Sequence, residues 1–400
     1  MTGSQVPVGL VTYSVKPRGG AVHTVHLAEA LHAAGYPVRV IALGDPDVGF
    51  FRSVRAPVTI IPAPPPLPTL EERVFASVAA LAEGLAPLAA AYPVLHTQDC
   101  ISARAADQVR DAAGTSRPVV VRTVHHVDDF TSPSLIDCQR RAILEPDRIL
   151  VVSEHWRDLL HREYGTEAQV VHNGVDSARF QDVDPGQVKE LRQRAGAMDR
   201  PLILSVGGIE PRKGSDTLVQ AIAALKQAAL KQAALKKAAL KQAGRGPVLA
   251  VVGGHSFQDY RPYRDRVLAS LPGLGLRLDD DVVLVGTVPD AELPAWYAAA
   301  DVLAFPSTKE GWGLAVLEAM SAGLPVVASD LPVFREYLTS GRDALLVPVD
   351  DAPALASALT AVLDDPDLAA SLREAALATA RRFTWARSAA EHQAIYASIR

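Results

Sequence analysis

The stretch KEGWGLAVLEAMSAGLPVVASD, residues 309–330, decides both the fold and the chemistry that the sequence predicts. It follows the apolar run ADVLAFPS (300–307), which is typical of a buried strand. Two glycines, Gly311 and Gly313, then allow a tight turn before a helix that we expect to begin near Leu314. The unpaired amides and the positive dipole end of such a helix suit a diphosphate group.

Two acids flank this helix start. Glu310 lies in the loop before the helix, and Glu318 lies about one turn inside it. A carboxylate in that place can accept hydrogen bonds from two neighbouring hydroxyl groups, which sugars and ribose both carry. The alternative is a pair of capping or surface acids, which the surrounding glycines and the preceding strand disfavour. The pair therefore predicts a site for a nucleotide sugar.

Length and composition limit the fold classes and partners that this chain can have. The chain has 400 residues, of which 48% are hydrophobic and 21% are charged, with a net charge of −5. These values predict a globular protein of two α/β domains and give no indication of a nucleic-acid partner. Two distant cysteines, Cys100 and Cys138, fit a reducing cytosol better than a disulfide framework.

We expect a cytoplasmic location for this chain. Its N-terminus, MTGSQVPVGLVTYS (1–14), lacks a basic region followed by a long apolar core, so we predict no signal peptide. We also find no run of about 18 apolar residues and predict no membrane span. Peripheral contact with a membrane and the oligomeric state stay open.

Short apolar runs alternate with helical stretches along the whole chain, which is typical of repeated βα units with parallel sheets. The predicted strands of the first half are 6–14, 36–43, 58–64, 92–99, 117–125, 147–154 and 168–175. Those of the second half are 200–208, 246–254, 281–288, 300–307, 324–330 and 344–350. The pattern predicts two Rossmann-like domains, each with a doubly wound parallel sheet.

We place the domain break near the polar stretch QDVDPGQ (181–187). The first domain is then 1–182 and the second 183–384, and a C-terminal helix within 385–400 is expected to pack on the first domain.

The segment 223–244 repeats the five residues AALKQ with small variations. Its leucines turn by about 140° at each repeat, so they spiral around a predicted helical extension. It is either an expansion without function or a cationic surface that binds a partner or a membrane.

Adjacent cations follow another predicted strand, in GGIEPRKG (207–214). Arg212 and Lys213 are either two solvated charges or the groups that stabilise a departing diphosphate in a dry cleft. Arginine can hold two phosphate oxygens at once, whereas lysine acts as a point charge. We favour the diphosphate.

Two smaller features lie in the first half. Gly19 and Gly20 precede a predicted helix, where they serve either a tight turn or a phosphate contact. His125 and His126 end a predicted strand in RTVHHVDDF (122–130). Neighbouring side chains on a strand point in opposite directions, which disfavours a metal site made by this pair.

These motifs together resemble glycosyltransferase family 4, a family of retaining enzymes with the GT-B fold. EGWGLAVLE (310–318) is similar to the E-x7-E motif of that family. The other similar segments are 19–36, 123–126, 171–180, 205–221, 251–254 and 300–330. The resemblance implies two Rossmann-like domains that face each other across a cleft. It also implies transfer of a sugar from a nucleoside diphosphate donor to a hydroxyl acceptor, with retained configuration and without a metal ion or other cofactor.

The resemblance also implies roles for particular residues. Glu318 would hold the ribose hydroxyls, and Glu310 would contact the donor sugar. His125, preferred to His126, would lie near the hydroxymethyl group of that sugar, while Arg212 and Lys213 would bind the diphosphate. The remaining donor-binding candidates are Gly19, Gly20, Gly208, Gly286, Thr287, Val288, Trp312, Gly313 and Leu314. Trp312 stands where members of the family often have Phe.

Three other functions compete with this hypothesis. A nucleotide-sugar epimerase or phosphorylase has the same architecture, and a non-catalytic nucleotide-sugar-binding protein would use the same donor site. A dinucleotide dehydrogenase is disfavoured because no G-x-G-x-x-G follows the first strand. The sequence does not specify the base, the sugar or the acceptor.

Overall fold

A computed structural model describes residues 5–114, 117–235, 246–254 and 257–399. The chain forms two compact units. Unit 1 comprises Met1–Gly174 and Phe383–Arg400, and unit 2 comprises Val175–Arg382.

Unit 1 is a parallel sheet with helices between its strands. Its elements are β1 (Val8–Thr12), α1 (Gly19–Ala33), β2 (Val38–Gly44), β3 (Val58–Pro62), α2 (Leu70–Leu85), β4 (Val94–Thr97), α3 (Cys100–Ala112), β5 (Val119–Val124), α4 (Pro133–Leu144), β6 (Arg148–Val151), α5 (Glu154–Tyr164), β7 (Gln169–Val170) and the C-terminal helix, Trp385–Ala397. The strand order is β3-β2-β1-β4-β5-β6-β7. The winding therefore reverses between β1 and β4, and Gly19–Gly20 follow β1 at that point.

Unit 2 has the same design with a smaller sheet. Its elements are α6 (Pro185–Arg194), β8 (Leu202–Val206), α7 (Ser215–Leu235), β9 (Val248–Val252), α8 (Arg261–Ser270), β10 (Val282–Gly286), α9 (Leu293–Ala299), β11 (Val302–Phe305), α10 (Leu314–Ser321), β12 (Val326–Ser329), α11 (Pro332–Arg335), β13 (Leu345–Val347), α12 (Ala352–Asp364) and α13 (Pro366–Ala380). The strand order is β10-β9-β8-β11-β12-β13. The winding reverses between β8 and β11, where an open α/β sheet binds ligands at the carboxyl ends of its strands.

The predicted α/β class and the predicted strands are confirmed within the described residues. Each predicted apolar run overlaps one strand of the seven-stranded or the six-stranded sheet, and β2 extends one residue beyond its predicted run. Central strands such as β1, β9 and β11 are buried on both faces because helices cover them, whereas the edge strand β10 is mostly only partly buried. In unit 2, Leu249 of β9 packs with Ile222 of α7 and Leu359 of α12, and all three side chains are fully buried. Truncation of such a side chain to alanine typically costs about 2–5 kcal/mol.

The boundary between the units lies closer to the N-terminus than the sequence predicts. The units divide after Gly174, so the predicted break after residue 182 falls inside unit 2. The short 3-10 helix Ser177–Phe180 explains the difference, because it packs against α9 and α10 of unit 2. The C-terminal helix belongs to unit 1, where it packs against α1.

The five-residue repeat continues helix α7 as far as Leu235. Leu225 is 7% exposed and Leu230 is 49% exposed, as expected for leucines that rotate around the helix. The rest of the predicted extension, residues 236–244, lies outside the described residues.

One helical stretch differs from the expectation about membrane spans. Leu70–Ala91, which joins α2 to the 3-10 helix Ala86–Ala91, has 22 residues and is long and apolar enough to cross a membrane by length and composition. We expected no such stretch; in the sequence, Glu71, Glu72 and Glu83 interrupt the apolar run. Its inner face, which includes Val78 and Leu81, is buried against α3 and the sheet of unit 1.

Gly174 provides a test of how the C-terminal helix is held in unit 1. A Cβ atom at this position would overlap the backbone of Thr384 and Trp385 at the start of that helix. We expect Gly174→Ala to lower the melting temperature, because overpacking typically costs about 1–3 kcal/mol. Differential scanning calorimetry measures the change. Gly273→Ala is the control, because nothing lies within 4 Å of a Cβ there, and equal melting temperatures of the two variants would contradict the expectation.

Candidate functional site

The candidate site of unit 2 lies where the loops after β8 and β11 meet. Lys213 follows β8 and Glu310 follows β11, and these strands are neighbours in the sheet. The Lys213 Nζ lies 2.5 Å from the Glu310 Oε1. Arg212 adds a second cation, with its Nη1 3.6 Å from the same oxygen. The structure thus brings together three of the predicted catalytic residues.

Backbone contacts hold these two loops against each other. The short 3-10 helix Pro211–Lys213 ends at Gly214, whose φ of 60° is left-handed. A side chain at Gly214 would overlap the carbonyl oxygen of Pro306, so only glycine allows this approach. The amide of Thr308 donates to the carbonyl oxygen of Arg212 at 2.9 Å. The positions of Lys213 and Glu310 are therefore fixed by main-chain geometry.

Burial and charge act on this ion pair in opposite directions. The Lys213 side chain is 15% exposed and the Glu310 side chain 9%. Burial alone would raise the pKa of Glu310, but Lys213 and Arg212 outweigh it and the pKa lies below its ordinary value. Burial lowers the pKa of Lys213, and Glu310 opposes that change. Glu310 is thus held as a carboxylate beside two cations.

Glu318 belongs to a different group of side chains. It lies on α10 and accepts a hydrogen bond from the Tyr297 hydroxyl to its Oε2 at 2.7 Å. Burial raises its pKa above the ordinary value, against the opposing effects of Tyr297 and the Arg179 charge. Arg179 in turn pairs with Asp290 at 2.8 Å. Glu318 thus has other polar neighbours than Glu310 does, namely the hydrogen-bonded Tyr297 and the nearby Arg179 charge, and both residues were missed in the sequence.

Helix α10 begins at Leu314, as predicted. Its N-cap is Gly313, whose φ is 87° and whose Cβ would lie 2.5 Å from the Phe334 ring. Trp312 is buried, and its carbonyl oxygen accepts a hydrogen bond from the Tyr337 hydroxyl at 2.9 Å. The Trp312 side chain therefore anchors the loop, while the backbone turns into the helix.

Three further loops of unit 2 lie in contact at the carboxyl ends of β8, β9 and β10. A Cβ at Gly208 would overlap the carbonyl oxygen of Gly254, and a Cβ at Gly254 would overlap the Thr287 hydroxyl. Gly286 ends β10 with a φ of 77°, and Thr287 after it is exposed. Val288 follows and is partly buried.

The predicted residues of unit 1 also meet at carboxyl strand ends. Gly19 and Gly20 are the first two residues of α1, whereas we predicted that they precede the helix. A Cβ at Gly20 would lie 3.8 Å from the His125 Cδ2 and 3.7 Å from the Gln98 carbonyl oxygen. The Nε2 of His125 lies 3.1 Å from the Gln98 Oε1. His126 instead is exposed and lies 3.5 Å from Asp128.

The sequence did not reveal a group of four neighbouring histidines, of which His23, His96 and His392 are buried and His125 is partly buried. We call His23, His96, His125 and His392 the histidine cluster. The rings of His23 and His125 lie 4.6 Å apart, and those of His96 and His392 lie 5.4 Å apart. The one available signal was His23 in the apolar stretch AVHTVHLAEAL (21–31) of α1, which indicates a buried helix face.

Comparisons with known proteins agree with this architecture. A family described as "Glycosyl transferases group 1" matches residues 187–379, and "Glycosyltransferase Family 4" matches residues 17–179. The chain belongs to glycosyltransferase family 4. The segments that resemble the family lie within these two regions, except for Phe180 at the end of 171–180.

Two proteins of known name are similar in sequence to this family 4 member. A GDP-mannose-dependent alpha-(1-6)-phosphatidylinositol monomannoside mannosyltransferase of Mycolicibacterium smegmatis is 30% identical over 269 residues, which cover 65% of this chain and 64% of the relative. A D-inositol 3-phosphate glycosyltransferase of Kribbella flavida is 29% identical over 321 residues, which cover 76% of this chain and 71% of the relative. The chain thus spans less than two thirds of the first relative.

Solved structures confirm the GT-B fold. Anabaena HepE in complex with UDP and glucose has a TM-score of 0.79 at 19% identity, covering 98% of this chain and 100% of HepE. Sucrose-phosphate synthase from Thermosynechococcus elongatus has a TM-score of 0.79 at 24% identity, covering 99% of each chain.

The histidine cluster predicts a loss of stability in acid. Burial lowers the pKa of His23 to about 3 and that of His392 to about 4, so both are neutral in the folded protein. Because an unfolded histidine takes up a proton near pH 6.5, stability falls as the pH decreases below that value. Each of these two histidines should lower the free energy of unfolding by about 2 kcal/mol when the pH falls from 6.5 to 5.

The measurement is urea unfolding at both pH values for the wild type and for His392→Gln. We expect the variant to lose less stability than the wild type over this interval, since it has one fewer group to protonate. An equal or greater loss in the variant would contradict the assignment of His392 as a neutral buried group.

Proposed function

We propose that this protein transfers a sugar from a nucleoside diphosphate sugar to a hydroxyl acceptor, with retention of configuration and without a metal ion. The observation that supports this most directly is the contact of Lys213 and Arg212 with Glu310 at the switch point of unit 2. Ligands of open α/β sheets bind there, and the cations supply the positive charge that a diphosphate needs.

The chemistry proceeds by charge stabilisation. Arg212, Lys213 and the amides at the start of α10 stabilise the diphosphate as its bond to the anomeric carbon breaks. The sugar then gains oxocarbenium character, which the Glu310 carboxylate stabilises from nearby. The acceptor hydroxyl attacks the anomeric carbon from the face that the diphosphate leaves, and its proton passes to a phosphate oxygen of the leaving group. Retention follows from attack on that face.

Glu318 serves the ribose in this proposal. Its Oε2 accepts the hydrogen bond of Tyr297, and its Oε1 is left to accept one from a ribose hydroxyl. The loops that carry Gly208, Gly286, Thr287 and Val288 would contact the rest of the donor.

Unit 1 contributes the other proposed roles. His125 with Gly19 and Gly20 would act on the donor sugar and the phosphates, as the family resemblance implies. The acceptor is an unidentified hydroxyl compound, and the inositol compounds named for the two relatives are the first to test. The proposal retains a cytoplasmic location as an expectation and leaves peripheral membrane contact open.

The first experiment is a thermal-shift screen with UDP-sugars and GDP-sugars, since a ligand that binds the folded state raises the melting temperature. A hit is then incubated with candidate acceptors, and the anomeric configuration of the product is determined by NMR. A glycoside of retained configuration supports the proposal. An epimerised nucleotide sugar as the sole product would favour the epimerase alternative, and binding without turnover would favour the non-catalytic alternative.

Variants of the site test the residue roles. We expect Lys213→Ala to lower kcat about 100-fold or more, because an electrostatic contact to the developing charge is lost. Lys189→Ala is the matched control, since Lys189 is an exposed lysine on α6. Steady-state kinetics with the identified donor measure both variants. Activity of Lys213→Ala within a factor of about two of the control would contradict the role of Lys213.

A further inference from the structure

Lys213, which we assign to the diphosphate, already forms an ion pair with Glu310 of the protein itself. The Lys213 Nζ lies 2.5 Å from the Glu310 Oε1, and it lies 4.6 Å above the Phe305 ring. The same carboxylate oxygen lies 3.6 Å from the Arg212 Nη1. One oxygen atom thus faces both cations, which is the arrangement that a phosphate oxygen would adopt between them.

This arrangement has two opposite consequences for a nucleotide. Glu310 holds the Lys213 ammonium group in place before any ligand arrives, which reduces the ordering cost of binding. Its negative charge also repels a phosphate that approaches the same cations, and the repulsion is strong because both side chains are largely buried.

We propose that Glu310 acts as an internal competitor of the diphosphate and promotes release of the nucleoside diphosphate product. This inference rests on the proposed function. It assigns to Glu310 a role in the turnover cycle beyond its contact with the donor sugar.

The charge of the ligand explains why the product is affected more than the donor. Each phosphate of a nucleotide sugar has one ester bond and one anhydride bond to its neighbour, so each has a single ionised oxygen and the donor carries two negative charges. Transfer exposes a terminal phosphate group, whose further ionisation has a pKa of about 6, so the product carries a third charge at neutral pH. The product also lacks the sugar whose hydroxyl groups Glu310 would accept hydrogen bonds from. Glu310 therefore loses a favourable contact and gains repulsion in the same step.

For Glu318, the second acid of the motif, we expect the opposite effect on nucleotide binding. Glu318 is bound to Tyr297 and lies near the Arg179 charge rather than beside Lys213. In the proposed function it accepts a hydrogen bond from the ribose, which both donor and product contain. Removing its charge should therefore weaken nucleotide binding, whereas removing the charge of Glu310 should strengthen it.

The experiment is isothermal titration calorimetry with UDP and with GDP on the full chain. It compares the wild type, Glu310→Gln, Glu318→Gln and the control Glu190→Gln, which changes an exposed acid on α6. For the diphosphate that the wild type binds, we expect Kd to fall about tenfold in Glu310→Gln. We expect Kd to rise in Glu318→Gln and to stay unchanged in Glu190→Gln.

A second comparison uses the matching nucleoside monophosphate. The gain in Glu310→Gln should be smaller for UMP or GMP than for the diphosphate, because the second phosphate faces Lys213. Glu310→Asp keeps the charge and is expected to show no gain. Circular dichroism verifies that each variant is folded.

The outcomes separate the two proposals. If the wild type binds UDP or GDP but Glu310→Gln binds it no more tightly, the competitor role is wrong while the proposed function stands. If the wild type binds neither UDP nor GDP and no nucleotide sugar stabilises it, the proposed function fails and the inference fails with it.

Discussion

The proposed chemistry of unit 2 depends on one largely buried ion pair, Lys213 with Glu310. The pair exists because β8 and β11 are neighbours in the sheet although α7, β9, α8, β10 and α9 separate them in the chain. The close approach of Gly214 to Pro306 then aligns the two loops. Burial makes the pair sensitive to any further charge, since Coulomb interactions are stronger where water is excluded. A phosphate that enters this region meets two cations and one anion that are already fixed.

The two acids of the E-x7-E motif are both removed from water, but their different neighbours shift their pKa values in opposite directions. Two cations lower the pKa of Glu310 in spite of burial, whereas burial raises that of Glu318. The hydrogen bond from Tyr297 fixes one oxygen of Glu318, and we propose that the other accepts a hydrogen bond from the ribose. Glu310 is thus a permanent negative charge beside the cations, and Glu318 is an oriented hydrogen-bond acceptor.

Local patterns were enough to predict most of the fold. Apolar runs such as ADVLAFPS (300–307) located the strands, and the glycines before Leu314 located the start of α10. Contacts between residues far apart in sequence were beyond such patterns. The hydrogen bond of Tyr297 to Glu318 and the ring contact of His23 with Trp385 depend on the tertiary arrangement of helices. The boundary after Gly174 was missed for the same reason, because the polarity of 181–187 does not show that Ser177–Phe180 packs on unit 2.

A double-mutant cycle on Lys213 and Glu310 tests the ion pair most directly. Urea unfolding would be measured for the wild type, Lys213→Met, Glu310→Gln and the double variant at neutral pH. A mutually stabilising pair predicts that the double variant loses less stability than the sum of the single variants, by about 1–3 kcal/mol. Additive losses, within about 0.5 kcal/mol, would contradict it.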